Sequence, residues 1–406
     1  MKSTMRVLLA GTALCAVGIS GAYAQSSDLR PVGARVGAFT VFPQVKAEMS
    51  YTDNLFAESA GEVSDFGWTV SPSVLAQSNF SRHEIVARAA VVPTFYSDNS
   101  DDNFIDYEAS VNGRIDVSRG VEILPRVSYR HGHEPRGDDN VALGAAEPVE
   151  SNIYTIGADI RYNPSRLRLE FGGSVRASDF IDNDLILGGT DNQDDRDRVN
   201  YGVRGLAGYE IGAKTYAFVR AAYNRVDFSN NDDIFGVKRD SDIINVGAGL
   251  SYEPSVSTIA RASVGYITQS FDNAVFGDVS GIGANLQVNW RLSPLTELIA
   301  TGERRVDQTT QGTAASELVW STQAEVRHDI RRNVRLTGLI GYSNRLFEGG
   351  TSTREDDVYR ASLGADYTIT RNFVVGAKYT YSTRVSSDTG FGYQQNTVLA
   401  SVTARF

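Results

Sequence analysis

The sequence predicts an all-β fold, a transmembrane antiparallel up-and-down β-barrel of about eighteen strands with long outer loops and short periplasmic turns. Three observations point there. Apolar residues recur at every second position in segment after segment, the joints between segments alternate between short turns and long polar stretches, and no run beyond residue 24 is long and apolar enough for a helical span. In a bilayer core every backbone N–H and C=O must be bonded within the protein, so only helices and closed barrels can cross. Alternating strands escape hydropathy averages, which is why a barrel is compatible with a chain that lacks long apolar runs.

Taken in order, Lys2 and Arg6 precede a charge-free run from Val7 to Ala24 that ends Ala22-Tyr23-Ala24. These are the parts of a secretory signal peptide, assigned to 1–24, with a mature chain beginning at Gln25. The run is rich in small residues and lacks a following basic cluster, which weighs against a membrane anchor. Cys15, the single cysteine, falls inside it, so disulfide scaffolds and thiolate metal sites are excluded from the mature chain. The formal charge of −10 becomes −12 without Lys2 and Arg6, which argues against nucleic acid as a partner. Residues 25–41 read as an irregular periplasmic N-terminal segment that could also fold inward as a small plug, and 42–406 as the barrel.

From residue 42 the period is two. Pro43, Val45, Ala47, Met49 and Tyr51 share one face of the first strand, and Gln44, Lys46, Glu48 and Ser50 the other. Further strands are read at 66–77, 85–95, 105–115, 121–130, 154–162, 167–177, 199–211, 217–223, 244–252, 260–266, 282–292, 298–302, 318–326, 334–342, 359–369, 373–381 and 397–406. Short turns at 79–82, 118–120, 163–165, 211–214, 253–257, 292–296, 330–333 and 369–372 alternate with longer segments rich in Asp, Asn, Gly and Ser, such as 132–151 and 182–196. Short turns facing the periplasm and long loops facing outward place both ends of an even-stranded barrel on the periplasmic side.

Many segments alternate over ten or more residues, the length a tilted crossing needs and more than a soluble sandwich usually uses. A repeat near forty residues would suit a propeller, but no blade signature accompanies it. Tyr51, Tyr129, Tyr162, Tyr209, Tyr223, Tyr252, Tyr266, Tyr342 and Tyr367 lie near strand ends, where interfacial girdles are expected. The last strand, TVLASVTARF, ends on Phe406 and resembles the closing strand of bacterial outer-membrane barrels, in which a terminal Phe serves as part of the assembly signal.

Chemistry-bearing residues are sparse. His131 and His133 share a strand end without an indicated third metal ligand, and with His83 and His328 they form no triad by spacing, so neither enzyme nor metal nor other cofactor is expected. A barrel hydrolase working through His131 or His133 is the minor alternative. The outer loops are acidic, and Asp191–Asp197 lacks the glycine and final glutamate of a calcium loop, so these carboxylates read as solvated tips. The polar faces carry the informative pattern. Arg88, Arg126, Arg168, Arg220, Arg261, Arg335 and Lys378, with Asp106, Glu108, Asp159 and Asp366, are the candidate pore-lining residues. Opposite charges across a lumen can simply satisfy one another, but basic residues in a hydrated pore attract anionic or hydroxyl-rich solutes.

The stretch Tyr51-Thr52-Asp53-Asn54-Leu55-Phe56 resembles the signature that opens the putative β-barrel porin 2 family of Gram-negative outer membranes. The resemblance covers essentially the whole mature chain. It implies an outer-membrane pore that is a conduit for polysaccharide export or another hydrophilic solute, in contact with lipid, lipopolysaccharide and the outer-membrane assembly machinery. For some members it implies periplasmic polysaccharide-export proteins as partners. A passive diffusion porin and a plugged structural or adhesive barrel remain the alternatives.

Overall fold

The computed structural model describes residues 29–406 apart from 139, 142–144, 233, 256 and 311–312. The expected signal peptide at 1–24, with Cys15, and the loop residue Asp233 lie outside the described residues. Eighteen strands build the wall: β1 (Phe39–Thr52), β2 (Asp65–Ser78), β3 (Glu84–Tyr96), β4 (Phe104–Ser118), β5 (Val121–His133), β6 (Glu150–Tyr162), β7 (Leu167–Phe180), β8 (Arg198–Gly212), β9 (Thr215–Phe228), β10 (Ser241–Ser255), β11 (Thr258–Phe271), β12 (Val279–Ser293), β13 (Thr296–Gln308), β14 (Ser316–Arg331), β15 (Val334–Glu348), β16 (Glu355–Thr368), β17 (Phe373–Ser386) and β18 (Tyr393–Arg405).

Each strand pairs antiparallel with the next. β18 returns to β1 in a register running from Gln44↔Arg405 to Thr52↔Thr397, so the sheet has no free edge. All eighteen segments read from the sequence are strands here, and the differences lie mostly at their outer ends. The sequence pattern placed one strand at 298–302, whereas β13 continues through Arg304, Arg305 and Asp307 to Gln308. Charges there break the alternation, but the backbone ladder to β14 persists up to Gln308↔Ser316, because pairing depends on main-chain groups and not on the side-chain pattern.

Period two separates the faces. Val264 and Ile340 are 62% and 66% exposed on the outer surface, beside inward-facing Ser263 and Leu339. Tyr162, Tyr209, Tyr252 and Tyr367 stand exposed near the short-turn end, while Tyr51, Tyr107, Tyr223 and Tyr359 do so near the long-loop end. An apolar band between two aromatic rings is the outer surface of a membrane-spanning barrel.

The short-turn rim is tight. At Gly120, where φ is +79°, an added Cβ would come within 2.7 Å of the Asn163 carbonyl oxygen, so only glycine lets these two turns touch. The described part of the lead-in runs along the same rim. Ala34–Val36 doubles back through Gly37 (φ +58°) to pair with Phe39, Thr40 and Val41, and an Arg405 Nη donates to the Leu29 carbonyl at 3.1 Å.

The opening motif fastens the seam at the opposite end. The Asp53 carboxylate accepts the Asn396 backbone N–H and Nδ2–H, both at 2.7 Å, from β18. Asn54, fully buried, donates to the carbonyls of Glu58 and Gln394 and accepts the Glu58 N–H. Its own carbonyl accepts Gln395 Nε2–H at 2.6 Å. The first loop therefore grips the last strand.

Candidate functional site

Inward-facing side chains form a charged lining. Directly opposed residues of an antiparallel ladder point to the same face, so the register identifies the lumen without reference to exposure. On β3 and β4 Arg88 meets Glu108 at 2.9 Å. Asp159 on β6 takes Arg126 from β5 at 2.6 Å and Arg204 from β8 at 2.7 Å. Glu253 at the end of β10 receives Arg168 from β7 at 2.6 Å and Arg261 from β11 at 3.3 Å. Arg335 bonds Asp329 at 2.7 Å, and Arg220 reaches Asn245 at 3.4 Å.

The bank formed by β16 and β17 differs. Arg360 lies opposite Gly341 and Ser382, and Lys378 opposite Gly364. Both are inward by register and yet exposed, and neither has a carboxylate at ion-pair distance among the described residues. Gly341, Ser382 and Gly364 leave room beside them, while Lys378 has Leu399 of β18 on its other side. Asn112 and Asp366 are likewise inward and exposed. Charged groups left unpaired at this depth require water, because desolvating an ion without a partner costs several kcal/mol.

Above this lining the outer loops fold over the mouth. Described residues of the connection between β5 and β6 cross it: Asn140 accepts the Thr309 hydroxyl at 2.8 Å, and Thr309 follows β13, eight strands round the barrel from β5. Arg136 holds the crossing segment in place. Its guanidinium donates to Asp102 at 2.7 Å and to the carbonyls of Ala145 and Ala146, and it lies over the Phe56 ring. On the far side Arg384 of β17 donates to the Gly137 carbonyl. An added Cβ at Gly137 would meet Ala57 and the Tyr393 ring at 3.1 Å, so the fit there is close.

Carboxylates expected to be solvated tips are partly interior. Asp102, Asp195 and Asp232 are 3%, 8% and 2% exposed, because each is enclosed by loop packing that no local spacing announces. Asp232 pairs with Arg239, which is 1% exposed and also donates to the Thr309 and Ala314 carbonyls. Beneath them Val226, Phe228, Ile243, Ile267, Val279, Val306 and Leu318 pack at the outer ends of β9 to β14. This apolar mass fills one flank of the mouth. Burial pushes the Glu134 carboxyl up despite Arg196 beside it, and burial also raises Asp197.

The family described as "Putative beta-barrel porin 2" matches residues 28–406. The chain belongs to that family. No curated protein matches it. Among solved structures, the outer-membrane protein OpdK of Pseudomonas aeruginosa is 10% identical, with a TM-score of 0.45, 90% of this chain and 99% of that one being covered. A BenF-like porin of Pseudomonas fluorescens Pf-5 is 12% identical, with a TM-score of 0.45, covering 90% of this chain and 99% of its own. The chain is an outer-membrane β-barrel porin.

The porin's other candidates are placed as follows. Asp106 accepts from His133 at 2.9 Å, and His133 stacks on Phe104. His131 lies on Tyr107 with its Nδ1 3.1 Å from Asn152, and among the described residues no group of three potential ligands gathers for a metal. Asp366 sits among Lys46, Arg335 and Arg405. Phe406 donates its N–H to the Pro43 carbonyl at 3.1 Å and exposes its ring outward. Sequence reasoning missed Arg360, whose flanking Tyr359 and Ala361 do carry the period-two signal. It also missed Glu253, which was absorbed into a turn.

Proposed function

We propose that this outer-membrane porin is a passive diffusion pore for small hydrophilic anions. The observation that carries this reading is the asymmetry of the lining. Glu108, Asp159, Glu253 and Asp329 are each neutralised by an arginine and Asp366 sits among Lys46, Arg335 and Arg405, whereas Arg360 and Lys378 face lumenal water with no carboxylate at ion-pair distance among the described residues. Fixed cations on a pore wall raise the local concentration of anions and exclude cations. No bond is made or broken in such a passage, so no catalytic group is required.

Polysaccharide export, which the family resemblance implies for some members, requires the outer mouth to admit a hydrated polymer. The connection after β5, tied down at Arg136 and Gly137 by Asp102 and Arg384, narrows that mouth and favours small solutes. On this reading the outer rim lies among lipopolysaccharide, Phe406 engages the assembly machinery, and no periplasmic export protein is needed.

Planar-bilayer recording of the purified protein under a salt gradient tests the proposal. The expected result is steady conductance with a reversal potential on the anion-selective side, while deletion of the gene leaves surface polysaccharide unchanged. A protein that inserts but never conducts, or that prefers cations, removes the reading.

A further inference from the structure

The outer wall carries a groove of about 660 Å³ across β6 to β10 that the pore does not use. Its shape follows from two register rows. In one, Phe171, Gly205, Ala221 and Val246 stand opposite one another on successive strands; in the next, Leu169 faces Ala207. Gly205, Ala207 and Ala221 form a low floor, and Phe171, 62% exposed, stands beside it as a wall. The groove lies on the membrane-facing surface, where an unfilled depression forfeits dispersion contacts on every side, so hydrocarbon must occupy it.

Two further observations say whose hydrocarbon. The groove reaches Tyr162 and Leu169 at the short-turn ends of β6 and β7, and Leu169 is only three residues, about 10 Å of extended chain, from Arg166 in the turn between them. Arg166 and Lys214, in neighbouring turns joined through Glu210, are exposed, and their side chains make no hydrogen bond or ion pair among the described residues. The Glu210 carboxylate is turned onto the Lys214 backbone N–H at 3.2 Å. Lys214 also holds φ at +60°, a conformation that favours glycine or asparagine, so a long cation is kept there against its backbone preference.

We propose that the groove holds one acyl chain of a phospholipid from the periplasmic leaflet, with its phosphate on Arg166 and Lys214. Tyr209, exposed on the wall between groove and rim, sits at the depth of the ester region, as interfacial tyrosines do. A second copy of the chain is the poorer occupant. Packing about a two-fold axis would bring the same two cations together from each subunit with nothing between them.

The test is native mass spectrometry of the full-length barrel released from micelles containing phosphatidylglycerol. The expected spectrum of the unaltered protein shows one retained lipid. Gly205→Leu should lose it, because an added Cβ at Gly205 meets only the Glu170 carbonyl at 3.9 Å and the bulk extends into the groove without disturbing the sheet. Arg166→Gln and Lys214→Gln should each weaken retention roughly fivefold, since one cation near an anionic lipid contributes about that much. Ala207→Leu is a second groove-filling variant should Gly205→Leu assemble poorly, and conductance, which this site does not touch, should stay unchanged in all four. Unaltered retention in folded groove-filled variants overturns the proposal, as does retention of lipopolysaccharide in preference to phospholipid, or a dimer that the groove-filling variants abolish.

Discussion

Arg360 and Lys378 act through what they lack. A guanidinium held against a carboxylate contributes little field to a passing solute, whereas an unpaired one in a low-dielectric wall acts at full charge. Arg360→Glu with Lys378→Glu should therefore reverse the selectivity, moving the reversal potential to the cation side with the barrel intact, and unchanged selectivity would remove these residues from the lining. Glu134 offers a second residue-level check. Burial raises its carboxyl above the ordinary range in the folded loop, so its contribution to docking is fully present in acid and is lost as pH rises through the folded value. Asp197, raised by burial in the adjoining loop, acts in the same direction. Loop 134–149 should loosen and conductance should rise as pH climbs above the usual carboxylate range, and Glu134→Gln should flatten that dependence. An identical pH profile in the variant would assign the effect elsewhere.

At the scale of elements, a strand has one face for lipid and one for water, and the two tolerate charge differently. Val264→Arg or Ile340→Arg should cost about 2–4 kcal/mol in urea unfolding from bilayers if these positions are near the midplane. Ser263→Arg and Thr337→Arg, on the lumenal side, should change conductance with little loss of stability. Equal damage from both sets would contradict the assigned faces. The seam between β1 and β18 is a second such element. Truncating Asn54 to Ala leaves the Gln394 and Glu58 carbonyls and the Glu58 N–H without their buried partner, at about 1–3 kcal/mol for such groups. Asn54→Ala should lower the temperature at which the barrel loses its heat-modifiable gel mobility, whereas deleting Phe406 should reduce the amount assembled before any transport step is affected.

For the whole molecule, the decisive arrangement is a hydrated, cation-bearing bank beneath a mouth narrowed by the loops folded over it. Arg136 and Asp102 are both buried, and removing one partner of such a pair costs on the order of 3–5 kcal/mol by stranding the other. Arg136→Ala should free segment 134–149 from the lumen, raise single-channel conductance and admit larger neutral polymers in exclusion experiments. A conductance equal to that of the unaltered protein would mean that the segment does not limit the path.

The wall was legible residue by residue. Val45, Ala47 and Met49 against Gln44, Lys46 and Glu48 already specify a strand with two solvents, and the same period repeated through Val398, Ala400 and Val402 specifies closure, because a membrane tolerates no free edge. Short turns such as the one read at 118–120 told one rim from the other by length alone. What local sequence could not carry was everything made by residues distant in the chain. Asn140 finds Thr309, Arg168 finds Glu253, and Asp102 is enclosed by Arg136 only after the sheet has curled on itself. Periodicity encodes which way a side chain points, since that depends on its own backbone, while its partner, and whether it is left free as Arg360 and Lys378 are, depends on the curvature that brings separate strands face to face.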